Sequence, residues 1–380
     1  MAARVAVLTR AAVIVFTLAA SARAEVHFAL AHQYTRCTPC HYSPTGGGLL
    51  TPYGRVLSRQ ELSTFGRLPE GTEIKTSGMR EEAFIFGLLP REGFPLDAGI
   101  NVRPSQLRLR LPDDSTIRRN LWMEADGQVA FRKGHWTAYG EFGRLTSDAE
   151  TKFISREHWV SYERDDGLAI RAGRFLPAYG LRIVDHSSFT RDELGFNQVD
   201  QIYGVEFSDT SDRQLVQVAV GTRAESLIED DGNRAITASS RMQWELRKGQ
   251  TLVMSGLYRG AGRYAPASGL GGLAWGWSPQ PNFVLWSEIN ALVAPGWKGT
   301  PKYVLSTEAS YQLYRGLWLR FQPQLMTELA NINGGMSRYA FYLQFLPRTH
   351  WDLNLAYARE RQRVEDQVYG IWFLQCHIYM

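Results

Sequence analysis

The sequence predicts an all-β protein: a transmembrane, antiparallel, up-and-down β-barrel of about 16 strands, with a range of about 14 to 18, preceded by a small irregular or helical segment. Three observations lead to this fold class. The chain opens with an export signal, most of the remainder alternates between apolar and polar residues, and aromatic residues reach 12% although no long apolar run follows the signal. Period-two alternation is typical of strands, and membrane barrels carry aromatic girdles at both interfaces.

Residues 1–24 have the layout of a secretory signal peptide. Two arginines precede a ten-residue apolar run at positions 11–20, and Ala22-Arg23-Ala24 provides a small-residue cleavage site. The apolar run is shorter than the roughly 20 residues of a membrane-spanning helix, which argues against an N-terminal anchor. We therefore expect cleavage after Ala24 and an exported mature chain.

The mature chain begins with a motif that carries chemistry, Cys37-Thr38-Pro39-Cys40-His41. C-x-x-C-H is the c-type haem attachment sequence, in which both thiols bind the haem covalently and the histidine is the proximal ligand of iron. We therefore predict one covalent haem c on Cys37 and Cys40, with His41 on the iron. The alternatives are a redox dithiol, a small disulfide or a zinc site, the last weakened by the lack of a second ligand cluster.

The distal iron ligand is less specified by the sequence. His32 is favoured, since the short stretch after the cleavage site leaves little room for a full cytochrome fold around Met79, the alternative ligand. A second imidazole gives bis-histidine ligation, whereas a methionine raises the reduction potential. His27 and His186 are further candidates, and an ordinary surface position is the competing interpretation for each of these residues.

A glycine-rich stretch, Gly46-Gly47-Gly48, follows the motif, and glycine lets a backbone approach a flat cofactor closely. The sequence from Cys37 to Gly54, C-x-x-C-H-x-x-P-x-G-G-G followed by Tyr-Gly, resembles the haem-bearing N-terminal segments of porin–cytochrome-type bacterial outer-membrane β-barrel proteins. The resemblance covers these 18 residues and does not extend to the barrel. It implies haem-dependent electron transfer at the outer membrane. Because one haem does not span a hydrocarbon core of roughly 30 Å, we expect periplasmic or external cytochromes as partners.

Alternation along the rest of the chain predicts sixteen strands. One face of the segment from Leu317, for example, carries Trp318, Arg320 and Gln322, and the other face carries Leu317 and Leu319. The predicted strands are 100–111, 117–132, 135–146, 153–165, 168–176, 200–209, 213–223, 235–247, 250–261, 268–278, 282–294, 302–314, 316–329, 338–347, 350–362 and 366–380. Short turns alternate with longer loops, and an even strand number places both ends of the barrel on the periplasmic side.

A barrel of this size has a polar lumen. The residues predicted to face inward carry both charge signs and thus no strong ion selectivity: Arg108, Arg110, Arg241, Glu245, Glu308, Arg320 and Glu328. The longest loop, 177–199, is interpreted as solvated and external in preference to a constriction folded into the lumen. Cys376, alone in the last strand, is assigned to packing.

The sequence excludes several function classes. A formal charge of +4 over 380 residues argues against nucleic acid as a partner, and no nucleotide-binding, hydrolase or metalloprotease motif indicates an enzyme.

We divide the chain into a signal peptide (1–24), a periplasmic or plug-like haem segment (25–97) and an outer-membrane barrel (98–380) in contact with lipid. Electron transfer across or at the cell envelope is the leading hypothesis. A diffusive porin whose N-terminal haem or dithiol segment is a plug or sensor is the alternative.

Overall fold

The computed structural model describes thirteen stretches of the chain: residues 26–32, 34, 37–44, 46–66, 95–146, 151–181, 188–191, 193–194, 200–224, 235–262, 266–293, 301–328 and 331–379. Met79 and His186, two of the candidate iron ligands, lie outside them. Among the described residues no helix is long and apolar enough to cross a bilayer.

Sixteen strands form one closed antiparallel barrel, which confirms the predicted fold class and strand number. Each strand pairs with its sequence neighbours, and β1 pairs with β16 to close the sheet. The strands are β1 Leu96–Arg110, β2 Thr116–Lys133, β3 Trp136–Thr146, β4 Thr151–Glu163, β5 Leu168–Phe175, β6 Ile202–Thr210, β7 Gln214–Arg223, β8 Ile236–Arg247, β9 Gln250–Arg259, β10 Ser268–Gln280, β11 Phe283–Val293, β12 Lys302–Tyr314, β13 Leu317–Glu328, β14 Asn331–Phe345, β15 Trp351–Gln362 and β16 Gln367–Tyr379.

The two ends of the barrel differ in their connections. We call the end at which β1 begins and β16 ends the terminal end, and the opposite end the loop end. Tight turns join the strands at the terminal end, where Gly134, Gly249 and Gly316 take positive φ angles that other residues rarely adopt. The longest connections, including the one between β5 and β6, leave from the loop end.

Side chains alternate between the lumen and the outer surface, as the sequence pattern predicts. On β13, Trp318, Arg320 and Gln322 are buried inside the barrel, whereas Leu319 is 47% exposed and Phe341 on the adjacent strand 50%. Several inward charges are paired. Arg320 and Glu308, for example, form an ion pair of 2.8 Å in which both side chains are buried. The outer face is therefore apolar and the lumen is polar but balanced in charge.

The inward orientation predicted for Arg108 and Arg110 is wrong. Both side chains are exposed on the outer face, and their neighbours Leu107 and Leu109 point into the lumen. At this level of the barrel the interior is filled by an apolar cluster composed of Leu107, Leu109, Leu111, Met123, Tyr369 and Ile371. Alternation fixes which residues share a face, but not which face is turned inward once a strand extends beyond the apolar band.

The described residues of the longest connection, 176–181, 188–191 and 193–194, lie inside the barrel, so its interpretation as a solvated external loop is also wrong. Its residues Tyr179 and Phe189 are buried, Tyr179 Oη donates to Asn290 Oδ1 at 2.7 Å, and Phe189 N donates to Gln324 Oε1 at 2.7 Å. Apolar loop residues also pack on the apolar wall residues Leu257, Leu270, Val304 and Met326. The loop is inserted because the wall offers matching apolar surface and hydrogen-bonding groups.

The N-terminal segment contains two short α-helices, α1 Val26–Ala31 and α2 Pro52–Leu57, and a π-helical turn, Ser58–Leu62. Thr51 caps α2 by accepting a hydrogen bond from Gly54 N at 3.1 Å, and Pro52 occupies the first helical position. Helices this short are not stable alone in water. Their stability comes from the barrel wall that surrounds them.

Candidate functional site

The N-terminal segment, residues 26–66, is attached to the terminal end of the barrel. Arg315 Nη2 in the β12–β13 turn donates to Thr64 O at 2.9 Å, and Thr64 N donates to Leu346 O at 2.9 Å. Ser58 Oγ and Tyr379 Oη, the latter at the end of β16, lie 2.8 Å apart. The segment thus contacts several turns and the last strand at once.

Helix α1 places its apolar side against an apolar part of the inner wall. Val26 and Leu30 pack against a cluster that includes Trp286 and Trp318, two of the largest fully buried side chains. Gly276 on β10 leaves space for Leu30, because a Cβ there would collide with the leucine methyl groups. Burial of apolar surface, about 25 cal/mol per Å², fixes the helix in the lumen.

The Cys37–His41 motif forms a tight turn in which Cys40 N and His41 N both donate to Cys37 O, at 3.1 and 2.8 Å. Thr51 N donates in turn to Cys40 O at 2.9 Å. Gly54 packs against the same carbonyl, and a Cβ at position 54 would overlap it. These contacts fold Cys37, Cys40 and His41 into one compact turn.

The glycine run forms the turn of a small hairpin that starts at His41. Tyr42 N donates to Leu49 O at 3.1 Å, and Gly46, Gly47 and Gly48 take φ angles of 75°, 78° and 63°. Gly48 approaches the barrel wall so closely that a Cβ there would overlap Tyr139 Oη. The glycines are therefore required by backbone conformation and by close approach to the wall.

A cavity that opens to solvent lies beside the motif, with about 1220 Å³ of empty space in it and at its mouth. Both cysteines and His41 line it, together with apolar side chains of the N-terminal segment, the inserted loop and the barrel. The apolar lining residues include Phe28, Leu30, Leu50, Leu57, Leu62, Leu181 and Leu346, and the polar ones include Arg241, Gln243, Asp352, His377 and Tyr379. A mainly apolar space with a few polar groups is typical of cofactor sites.

Burial sets the protonation of the motif. It lowers the pKa of His41 to about 4, a shift that the backbone of Gly47 and Gly48 partly opposes. It raises the pKa of the Cys40 thiol to about 11, and the nearby Cys37 adds to that shift. At neutral pH the imidazole is therefore neutral, the form that binds a metal.

These residues fit a covalently attached haem. The His41 Nδ1 atom is enclosed and makes no hydrogen bond of ordinary geometry within the described residues. Both thiols and His41 face one mainly apolar cavity, which has the low polarity that a porphyrin face requires. Cys37 and Cys40 are not joined by a disulfide. The donor set and the cavity thus agree with the C-x-x-C-H signature.

The histidines suggested as distal ligands lie elsewhere in the segment. His32 packs against Phe28, with ring centroids 4.3 Å apart, and is not among the residues that line the cavity. His27 is buried edge-on against Trp318, at 4.7 Å. Distal ligation by His32 stays a prediction that would require its ring to turn away from Phe28.

His377 is a cavity residue that the sequence reasoning missed. It lies near the terminal end of β16, and it is the histidine that lines the cavity together with His41 among the described residues. Its Nε2 lies 2.9 Å from Asn101 Oδ1 and its Nδ1 lies 3.8 Å from Asp352 Oδ2. The sequence did carry a signal for this residue, because the alternation on β16 turns His377 inward at the end of the barrel that the motif occupies.

A second, more polar cavity also adjoins the motif and opens to solvent, with about 690 Å³ of empty space in it and at its mouth. Cys37 and His41 line it, as they line the first, and its remaining wall comes from the terminal ends of β2 to β7. Arg171 and Glu206 form a buried ion pair of 2.9 Å in this wall. The motif therefore separates an apolar cavity from a polar one.

Comparison with models of protein families finds no match, and no curated protein matches the sequence. Solved structures do match. OmpT of Vibrio cholerae aligns with a TM-score of 0.55 and 9% identity, over 77% of this chain and 99% of that one. The outer-membrane channel DcaP of Acinetobacter baumannii gives 0.55 and 10%, over 75% and 97%. An anion-selective porin from Comamonas acidovorans gives 0.54 and 9%, over 75% and 98%.

The aligned share of this chain is close to that of the barrel, and nearly the whole length of each solved structure is matched. Identities this low establish the architecture alone. The chain therefore has the sixteen-stranded barrel fold of outer-membrane porins, to which it adds an N-terminal segment that carries the C-x-x-C-H motif.

Proposed function

We propose that this protein is an outer-membrane channel of the porin type whose N-terminal segment acts as a plug at the periplasmic end of the lumen. The observation that carries the proposal is the attachment of residues 26–66 to the terminal end, through Thr64, Ser58 and the apolar contacts of α1. Outer-membrane barrels have their short turns and chain termini on the periplasmic side. The terminal end is therefore the periplasmic end.

Solutes would pass through the space that the plug and the inserted loop leave between them. Several inward charges are paired, as in Arg338–Glu360 at 2.6 Å and Arg156–Asp126 at 2.7 Å. A lumen balanced in this way offers little discrimination between anions and cations. The channel is expected to be narrow and weakly selective while the plug is docked, and wider when the plug moves.

The plug is proposed to carry one covalent haem c. Cys37 and Cys40 would hold it through thioether bonds and His41 would bind its iron, while Gly48 and Gly54 keep the turn compact. When bound, such a group supplies one-electron redox chemistry. The protein side chains exclude water from its apolar face and keep His41 neutral. A redox-sensing plug and a site of electron transfer are both compatible with this arrangement.

Electron transfer at the cell envelope is a second candidate function, favoured by the shared cavity of the two thiols and His41. A haem at the periplasmic end would be separated from the cell exterior by most of an apolar band of roughly 25 Å. One redox centre does not span that distance alone. This function therefore requires a periplasmic donor or acceptor and a second cytochrome on the external side.

Conductance in planar bilayers separates the two functions. Deleting residues 25–94 leaves all of β1 in place, and we expect single-channel conductance to rise several-fold relative to the full-length protein. Heat-dependent electrophoretic mobility verifies that the shortened barrel has folded. An unchanged conductance would contradict the plug. Electron transfer across proteoliposomes by a non-conducting, full-length protein would instead favour the second function.

A further inference from the structure

The outer surface of the barrel carries a cluster of arginines at the loop end, on three strands that lie on either side of β16. Its five exposed members come from β1, β2 and β15 around β16, and they are Arg108, Arg110, Arg118, Arg359 and Arg361. We call this set the arginine cluster. In the strand register Arg108 lies opposite Arg118, and both Arg110 and Arg359 flank Gly370. The members therefore occupy adjacent rows of one surface.

Acidic residues of the protein neutralise only part of the positive charge of the arginine cluster. Arg110 and Arg361 each pair with a nearby aspartate, Asp114 at 2.8 Å and Asp366 at 2.6 Å, and all four side chains are more than half exposed. None of the described acidic residues pairs with the remaining three members. Like charges directly opposite each other on a sheet destabilise it, so Arg108 and Arg118 repel each other unless an anion lies between them.

Aromatic side chains lie beside the cluster, in the same row as Arg108, and also nearer the terminal end, and they indicate its height. Trp372 is the strand partner of Arg108, and its ring lies 4.6 Å from that of Tyr357. Both point outward, as does Trp122, which is 58% exposed. Exposed tryptophan and tyrosine of this kind mark the level of lipid headgroups in membrane barrels.

The distance along the strand agrees with this level. On β15 the outward residues run from Trp351 at the terminal end to Arg359, eight positions later. At about 3.3 Å per residue and a tilt of about 40°, this is roughly 20 Å of height. The apolar band of an outer-membrane barrel is roughly 25 Å tall. Arg359 thus lies near the upper edge of the band, and Arg361, two positions further along β15, reaches the level of the headgroups on the loop side.

We propose that the arginine cluster binds the phosphate groups of an anionic glycolipid headgroup in the external leaflet. A guanidinium binds phosphate oxygens through two parallel hydrogen bonds, and it does so best where several charges converge. The inward-facing Leu107 and Leu109 stiffen the strands beneath the cluster. Bound phosphate removes the repulsion between Arg108 and Arg118. The proposal rests on the membrane position of the barrel and is independent of haem.

The test uses the full-length protein in detergent and bis-phosphorylated lipid A as the probe, with binding followed by native mass spectrometry. The cluster variant combines Arg108→Gln, Arg118→Gln and Arg359→Gln. A control variant removes the same charge from exposed residues at the terminal end, through Lys133→Gln, Arg247→Gln and Lys248→Gln. Each basic residue near an anionic surface strengthens binding about five-fold. We therefore expect the dissociation constant to rise about a hundred-fold in the cluster variant and less than two-fold in the control.

A second measurement keeps the test valid if the cluster variant does not fold. The wild-type protein is titrated with dephosphorylated lipid A and, separately, challenged with free inorganic phosphate. Weak binding of the dephosphorylated lipid and no displacement by free phosphate are expected. Equal binding of the two lipids, unchanged affinity in a folded cluster variant, or full displacement by inorganic phosphate would each overturn the lipid site. Insertion into liposomes, measured independently, reports whether the membrane position itself is at fault.

Discussion

Arg55 and Asp97 form an ion pair of 2.8 Å in which the two side chains are 0% and 1% exposed. Arg55 lies in α2 of the N-terminal segment, and Asp97 is the second residue of β1. Tyr42 Oη also donates to Asp97, at 2.9 Å. A single carboxylate thus receives hydrogen bonds from two separate parts of the plug at the point where the barrel begins.

Loss of this pair is expected to release the plug. Arg55→Met leaves the Asp97 carboxylate buried without its cation, which costs about 3–5 kcal/mol. The rate at which a protease cleaves within residues 26–66 should rise at least ten-fold, measured by mass spectrometry of timed digests. Arg110→Met removes an exposed ion pair with Asp114 and serves as the control, since such pairs contribute about 0–1 kcal/mol. Equal cleavage rates in the two variants would show that the Arg55–Asp97 pair does not hold the plug.

Covalent haem attachment is expected to depend on two of the three cysteines. Cys37→Ala and Cys40→Ala should each abolish or strongly reduce haem staining of the denatured protein, because each thiol supplies one thioether bond. Cys376→Ala should retain full staining, since that residue lies on the outer side of β16, between the inward-facing Gln375 and His377. Absence of staining in the wild-type protein, produced with a working haem attachment system, would disprove the site.

The distal ligand is testable with a pair of histidine variants. If the barrel wall supplies it, His377→Ala should convert a low-spin haem spectrum to high spin, and His32→Ala should leave it low spin. The reverse pattern would support the ligand predicted from the sequence. Absorption and electron paramagnetic resonance spectra of the purified protein distinguish these outcomes. Low-spin spectra in both variants point to Met79, His27, His186 or a partner protein.

The contact between the glycine hairpin and the wall gives a matched test of packing. Gly48→Ala and Gly134→Ala both place a side chain at positive φ, 63° and 57°, which costs about 1–2 kcal/mol in each case. Only a Cβ at position 48 also overlaps Tyr139 Oη, whereas a Cβ at position 134 meets no atom within 4 Å. Urea unfolding should therefore show a larger loss for Gly48→Ala. Adding Tyr139→Phe to the Gly48→Ala variant should recover part of the lost stability. No recovery would exclude the overlap with Tyr139 Oη as the cause of the larger loss.

The strand pattern was predictable because the barrel imposes one alternation on every strand. The prediction of 235–247 for β8 differs from the observed Ile236–Arg247 by one residue. β14 begins at Asn331, seven residues before its predicted start, because the strand continues beyond the apolar band. Position along the membrane normal is not encoded in the alternation, and the inverted orientation of Arg108 and Arg110 has the same origin.

The candidate site was only partly predictable. The thiols and His41 are consecutive in the sequence, so a local motif is sufficient to identify them. His377 is more than three hundred residues away and reaches the same cavity through barrel closure, by pairing of β16 with β1. The inserted loop is likewise held by wall residues distant in sequence, such as Asn290 and Gln324. Contacts of this kind depend on the three-dimensional arrangement of the strands.

The plug contacts both strands that meet at the seam of the barrel. Arg55 pairs with Asp97 on β1, and Ser58 bonds to Tyr379 on β16. Before closure these two strands are open edges with unpaired backbone groups, which are prone to aggregate, and their pairing brings together the most distant parts of the sheet, a slow step in folding. The N-terminal segment contacts both of these strands, so its contacts are complete only when the sheet has closed. They therefore favour the closed barrel over the open sheet.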